Sequence, residues 1–380
     1  MILGGDVSTR AKDHFDWPLF ITVALIAVLG VVNLYSATSV YQGVSTRSEL
    51  YISQIYWLVL GGIFGGVLVA IDYRYFERFG YVVYGGSIFS LLLVFVFGKD
   101  IRGSVRWIDF GGFSFQPSEY SKICLVIALA KFLHDDPRSE GRTLKDLLIP
   151  ALLTAVPALL ILKQPDLGTA MIHIFVFLTI AALTRVKWKS VVVFAVTVAS
   201  ALPIIWTYVL HDYQRDRVTV FLRPEDDIHH RGWHAHHSRV AIGDGGVLGT
   251  GFLKGTQNQF NFIPDQYTDF PFPIFAEEWG FVGSVLLLML YAFLAVWSIR
   301  IASLAKDRFG AVLAVGCGGI LFWHAIINIG MTSGVLPVVG VTLPLFSYGG
   351  SSITTMLMCV AMLMNVSMRR YSVSPAPDRL

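Results

Sequence analysis

Charged residues make up only 14% of the 380 positions, against about 25% in an ordinary soluble domain. That deficit excludes a soluble α/β enzyme, whose surface needs more polar cover, and a disordered tail protein, which depends on charge. The three cysteines, Cys124, Cys317 and Cys359, all fall inside apolar stretches, so neither a disulfide scaffold nor a metal cluster is expected. A net charge of +3 is too small to point to nucleic acid as a partner. No internal repeat, heptad run or low-complexity linker stands out. The two halves also lack the paired broken helices of an inverted-repeat transporter.

What the chain has in quantity is apolar sequence: 54% of residues are hydrophobic and the mean hydropathy is +0.62. Runs of 18 or more apolar residues recur along its length, each long enough to cross a bilayer. Ten spans are expected, near 17–37, 50–71, 79–98, 117–134, 147–163, 167–184, 188–209, 272–298, 310–332 and 350–367. They lack the alternation of barrel strands, so the fold class is all-α, a polytopic integral membrane protein. The polar first 16 residues carry no cleavage site after a short apolar core, so the first span reads as an anchor.

Basic residues orient the bundle. With both termini on one side, that side carries 16 Lys and Arg in its connections, and the short connections opposite carry 5. Both termini are therefore expected in the cytoplasm. The long connection between the seventh and eighth spans, 210–271, is expected outside, as a large extracytoplasmic loop. The chain reads as one membrane domain over 1–380, with a short disordered tail at 372–380.

Ionisable residues at membrane depth are costly and mark candidate sites. The fourth span opens Gln116-Pro117-Ser118-Glu119-Tyr120-Ser121-Lys122, which puts Glu119 and Lys122 on one helical face as a pair. That pair suits either a structural lock between helices or the site. Asp166, in Lys163-Gln164-Pro165-Asp166-Leu167-Gly168-Thr169, suits a helix N-cap or the site. Arg106-Trp107 lies in a glycine-bearing connection, where an Arg beside an aromatic either anchors at the interface or grips a phosphate or headgroup.

The long connection holds the glycine stretch Ala241-Ile242-Gly243-Asp244-Gly245-Gly246-Val247-Leu248-Gly249-Thr250-Gly251 and then Ile263-Pro264-Asp265-Gln266-Tyr267-Thr268-Asp269-Phe270. The glycine spacing makes no nucleotide fingerprint. An acidic residue between aromatics, where the chain re-enters the bilayer, suits acid–base work on a polar headgroup. Spacing alone does not separate Asp269 from Asp265, and a helix N-cap is the alternative for Asp269. Glu277 and Glu278 follow early in the eighth span. His229, His230, His234, His236 and His237 cluster nearby, but their spacing is weak ground for zinc and a solvated loop is the expectation. The last connection, Thr332 to Ser352, has no charge and is rich in Gly, Pro and hydroxyls, including Ser347 and Ser351. It suits a re-entrant stretch buried in protein, with donors for a sugar or diphosphate.

These motifs, in this order and over nearly the whole chain, resemble the SEDS family (shape, elongation, division and sporulation). The carriers are the Gln116–Glu119 opening, the Gln164–Thr169 turn, the Ala241–Gly251 stretch, Tyr267-Thr268-Asp269-Phe270 and Leu336-Pro337 to Ser351-Ser352. Pro337-Val338-Val339-Gly340 resembles the elongation, RodA-like branch more than the division branch of FtsW. His237, Asp244, Tyr267, Pro271 and Pro273 depart from the usual pattern.

The resemblance implies a peptidoglycan glycosyltransferase (a hexosyltransferase) that polymerises lipid II into glycan strands on the outer face of the cytoplasmic membrane, for cell elongation and rod shape. It maps the family's proposed catalytic aspartate onto Asp269 and its fourth-span pair onto Glu119 and Lys122. Arg106, Asp166, Thr268, Ser347 and Ser351 are the expected supporting or substrate-binding residues. Lys122, Arg106 or a divalent cation (Mg or Mn) would steady the departing diphosphate. No cofactor is otherwise expected. A class B penicillin-binding transpeptidase and other elongation-machinery proteins are the implied partners. A lipid II flippase and a non-catalytic scaffold for that transpeptidase are the alternatives.

Overall fold

The computed structural model describes residues 15–39, 49–101, 104–109, 111, 114–136, 141–184, 186–204, 206–207, 212–222, 233–260, 262–263 and 266–370. In chain order come α1 (Trp17–Ser39), α2 (Leu50–Ala70), α3 (Tyr73–Phe97), β1 (Lys99–Ile101), β2 (Ser104–Asp109), β3 (Ser114–Phe115), α4 (Pro117–Asp135), α5 (Leu148–Lys163), α6 (Leu167–Ala182) and α7 (Trp188–Ile204). They are followed by α8 (Asp212–Leu222), α9 (Trp233–Asp244), α10 (Thr256–Gln259), α11 (Pro271–Ser303), α12 (Arg308–Thr332) and α13 (Gly350–Arg369).

A helix thus occupies each of the ten expected spans. Among the described residues, six of these helices (α1, α2, α3, α11, α12 and α13) are long and apolar enough to cross a membrane. The apolar helices α5 and α6 are shorter, and α4 carries Glu119, Lys122, Lys131 and Asp135 in 19 residues. Helices are the form that closes its own backbone hydrogen bonds in hydrocarbon, and side chains fix their starts. Asp72 accepts from Arg74 N at 3.0 Å, so α3 begins six residues before the apolar run that starts near 79. Asp307 accepts from Gly310 N at 2.7 Å to start α12.

Burial separates the centre from the rim. The apolar windows of α13 and α12 are 89% and 72% buried, against 17% for α2 and 22% for α3. With α4, largely buried as well, α12 and α13 form the core of the bundle. Between α3 and α4 sits a small antiparallel sheet of order β1-β2-β3, with Lys99 opposite Trp107 and Ile108 opposite Phe115. This sheet is an addition to the all-helical expectation.

The connection 210–271 is not simply a loop, since α8, α9 and α10 lie within it. The positions Asp265, His229 and His230 and the tail 372–380 lie outside the described residues. The glycine stretch packs against a break in α11 at Gly280, whose φ is 65°. A Cβ on Gly280 would come within 2.2 Å of Gly249 N, so both chains need glycine to approach this closely. The break frees backbone groups that the stretch then satisfies. Thr250 N and Gly251 N donate to Glu277 O and Glu278 O at 2.9 and 3.1 Å, and Phe281 N and Val282 N donate to Gly246 O and Val247 O at 2.9 and 3.1 Å.

Candidate active site

Asp269 lies in the turn that opens α11, just after Thr268, and that turn is tied down from three directions. Gln266 Nε2 donates to Ala37 O of α1 at 2.8 Å. Tyr348 N donates to Tyr267 O at 2.8 Å. Asn328 Nδ2 of α12 donates to Asp269 O at 2.9 Å. Asp269 itself is half-buried, and Gly340 packs so that a Cβ there would lie 3.3 Å from Asp269 Oδ2. Gly340 has φ 73°, a conformation that favours glycine.

Asp269 faces a cavity of about 400 Å³. Asp216 and Arg217 of α8 and His234 and Arg239 of α9 share its lining, and Val338 and Leu336 close it from the last connection. Arg217 Nη1 donates to Val338 O at 3.0 Å. The His234 ring stacks on Phe270, centroids 5.6 Å apart. Two guanidiniums and an imidazole beside the carboxylates of Asp216 and Asp269 can receive a phosphate-bearing group beside a base. The fixed fork of Arg suits phosphate oxygens.

The other expected site residues stand elsewhere. Lys122 Nζ pairs with Glu119 Oε2 at 2.9 Å, with both side chains buried. Lys122 also donates to His324 Nε2 at 2.8 Å, because His324 Nδ1 lies 3.1 Å from Thr342 O and must carry the ring proton. Neither Glu119 nor Lys122 lines the Asp269 cavity. Arg106, expected to grip a headgroup, spends its guanidinium on the α5–α6 turn: Nε donates to Gln164 O at 3.0 Å, Nη2 to Pro165 O, and Nη1 lies 3.9 Å from Asp166 Oδ2. Asp166 caps α6 by accepting from Thr169 N at 3.1 Å. Ser347 Oγ accepts from Leu343 N at 2.8 Å and closes a buried turn. Ser351 Oγ accepts from Gln116 N at 3.2 Å and lines a second, apolar cavity of about 610 Å³ with Tyr56, Trp57 and Tyr120.

Sequence reasoning missed Arg217, Arg239 and Asn328. The first two were visible only as scattered charges in the long connection, where nothing marks which residues face inward. The described histidines have different surroundings: His234 lines the cavity, and His237 Nδ1 lies 2.9 Å from Gln257 Oε1. For a divalent cation the cavity offers the carboxylates of Asp216 and Asp269. No group of three potential ligands gathers among the described residues.

Residues 16–372 match the FtsW/RodA/SpoVE family, described as cell cycle proteins. Peptidoglycan glycosyltransferase MrdB of Escherichia coli K12 is 38% identical over 363 residues, covering 96% of either chain. RodA of Treponema pallidum is 30% identical, covering 95% of this chain and 99% of its own. A solved structure described as the structural coordination of polymerization and crosslinking by a peptidoglycan synthase complex superposes with TM-score 0.80 at 34% identity, over 94% of this chain and 99% of that one. The rod shape determining protein RodA of Thermus thermophilus gives TM-score 0.69 at 31% identity, over 94% and 98%. A multi-pass helical membrane protein with these motifs and this kinship is a member of the FtsW/RodA/SpoVE, or SEDS, family.

Proposed function

We propose that the chain is a peptidoglycan glycosyltransferase, the activity its relatives are named for, that polymerises lipid II with Asp269 as general base. The observation that carries this reading is one cavity holding the Asp269 carboxylate together with Arg217, Arg239 and His234. In the proposed step, Asp269 takes the proton of the acceptor's glucosamine 4-hydroxyl. That oxygen attacks the anomeric carbon of the growing strand's muramic residue with inversion. The bond from that carbon to the diphosphate oxygen breaks, and undecaprenyl diphosphate leaves with the electron pair. General-base assistance of this kind is worth about 10²–10⁴-fold.

Charge grows on the diphosphate as it leaves, so Arg217 and Arg239, which line the cavity, are better placed to stabilise it than Lys122 or Arg106, which do not. Thr268 keeps its expected supporting role as the residue that enters the Asp269 turn. Glu119, Lys122, Asp166, Ser347 and Ser351 support the site through the scaffold. Mg or Mn would find Asp216, Asp269 and substrate oxygens as ligands, and no step here is routed through it.

The excess of basic residues on the terminal side supports a bacterial inner-membrane orientation with Asp269 outside. The synthase-complex relative supports a class B penicillin-binding transpeptidase as partner. The MrdB and RodA kinship and the Pro337–Gly340 motif support service in elongation.

The test is polymerisation of labelled lipid II by the purified protein with its transpeptidase partner, products resolved on a gel. Wild type should give ladders and a well-folded Asp269→Ala none. Ladders from both would move the base elsewhere. Ladders from neither, beside an active control polymerase, would favour the flippase or scaffold.

A further inference from the structure

Two carboxylates near the start of α11 are buried more deeply than Asp269 and take no part in its cavity. Glu277 is 0% exposed and Glu278 2%, and neither enters an ion pair among the described residues. They precede the break at Gly280, under the glycine stretch, and Glu277 lies close enough to Glu278 to repel it. Charge is kept in a protein interior when it is paired or bound to a metal. This pair therefore calls for a positive counterpart that the described side chains do not supply.

The surroundings offer oxygen and leave room. Glu277 Oε1 accepts from Thr256 Oγ1 and Gln257 N, both at 3.0 Å, and Glu278 Oε1 accepts from Ser36 Oγ of α1. Each carboxylate is thus fixed through one oxygen, while its Oε2 is buried with no hydrogen-bond partner. The Asn258 side chain of α10, 2% exposed, faces the Glu278 carboxylate. Its Nδ2 donates to Ser36 O at 3.1 Å, and its Oδ1 is likewise buried without a partner. A Cβ on Gly255 would lie 2.8 Å from Glu277 Oε2, so the missing side chain keeps the space beside that oxygen open. Gly255 lies between the exposed Lys254 and Thr256, which puts this pocket one residue below the surface of the connection.

We propose that Glu277, Glu278 and Asn258 bind a divalent cation of the calcium type through Glu277 Oε2, Glu278 Oε2 and Asn258 Oδ1. Two carboxylates match the charge of the ion, and the amide adds a neutral third oxygen. Ca²⁺ takes mixed carboxylate, amide and water oxygens in irregular geometry, whereas Mg²⁺ demands an octahedron and keeps most of its water, which a buried pocket does not suit. The site is distinct from the cavity of Asp216 and Asp269, whose lining includes none of these residues. It joins the end of α1, α10 and the break in α11, so the ion acts as a staple for the long connection and takes no part in the chemistry. The inference stands whether or not Asp269 is the base.

The experiment uses the full-length protein in detergent, stripped with EDTA, and reads binding of radioactive Ca²⁺ and the thermal unfolding midpoint. Wild type is compared with Glu277→Gln, Glu278→Gln and an Asp216→Asn/Asp269→Asn double variant that removes the carboxylates of the cavity. Wild type and the double variant should each bind a single Ca²⁺ per chain and gain about 2 °C or more in midpoint when it is added. Each Gln variant should lose about tenfold or more in Ca²⁺ affinity, because ligand charge sets the strength of such sites, and its midpoint should no longer respond. No binding by wild type at millimolar Ca²⁺ overturns the proposal. So does binding that the double variant loses and the Gln variants keep, since the ion would then belong to the cavity. Gln variants as stable as wild type with no Ca²⁺ response in any protein would mark a shared proton instead, and equally overturn it. If neither Gln variant purifies as a folded protein, Gly255→Ala takes their place, because its methyl would crowd Glu277 Oε2. Unchanged affinity in Gly255→Ala, or failure of all three variants to fold, marks the pocket as packing alone and overturns the site.

Discussion

Two groups of charged residues in this protein behave in opposite ways. Glu119, Lys122 and His324 are closed off among α4, α12 and the last connection, and both charges are matched within the protein. Asp269, Arg217 and Arg239 instead line one open cavity of about 400 Å³. The first arrangement meets the cost of burying charge by pairing it, and nothing of substrate size enters. The second keeps charge where a ligand can arrive, which is what chemistry on a diphosphate-linked sugar needs. In the sequence Glu119 and Lys122 stood out as ionisable residues at membrane depth, whereas Arg217 and Arg239 were scattered charges in the long connection. Access rather than charge distinguishes them, so their responses to substitution should differ in kind.

The largest effect is expected at the open group. Asp269→Asn keeps the shape and removes the base, so turnover should fall by about 10²–10⁴-fold while the thermal unfolding midpoint stays within a few degrees. A variant that polymerises at the wild-type rate would erase the contrast at its source. The closed group should show the reverse. Lys122→Met strands Glu119 in the core, at a cost of about 3–5 kcal/mol, read as a lowered unfolding midpoint. Glu119→Gln combined with Lys122→Met should regain most of that stability, because the uncompensated charge is gone. If the double variant is no better than the single one, the pair is more than a matched charge.

Arg217→Lys and Arg217→Ala sharpen the comparison from the cavity side. Losing a fixed donor to a developing anion typically costs about 10²–10³-fold in kcat, and Lys should rescue little because it lacks the planar fork. Parallel steady-state kinetics on both variants would check this. The smallest effect is expected at Arg106, whose hydrogen bonds hold the 164–166 turn. Arg106→Lys should cost about 1 kcal/mol of stability and change kcat less than threefold. A tenfold loss of kcat would move Arg106 back among the residues that meet substrate.

Legibility followed the same line. The spans could be read because a run of apolar residues long enough to cross hydrocarbon has few other uses, although α3 starts earlier than its hydropathy suggests because Arg74, Glu77 and Arg78 fill its first turns. Pairing of Glu119 with Lys122 and capping by Asp166 were readable, since both depend on spacing of three residues along one helix. The hold of Arg106 on the 164–166 turn could not be read, because its partners lie 58 and 59 positions away in the chain. Asp269 and Asp265 were equal by spacing, and only the family resemblance separated them. The helices within 210–271 stayed hidden because their polar, mixed composition carries little period.

Composition and hydropathy by themselves determined that this is a multi-pass helical membrane protein, and its ordered motifs determined the family. Those properties come from local sequence, where each residue acts through its own transfer energy and its near neighbours. The tertiary structure alone decided which charges meet a cavity, that Arg217 and Arg239 join Asp269 there, and that Asn328 of α12 donates to Asp269 O. These depend on packing between segments far apart in the chain, and a partner's distance through space is not written in its distance along the sequence.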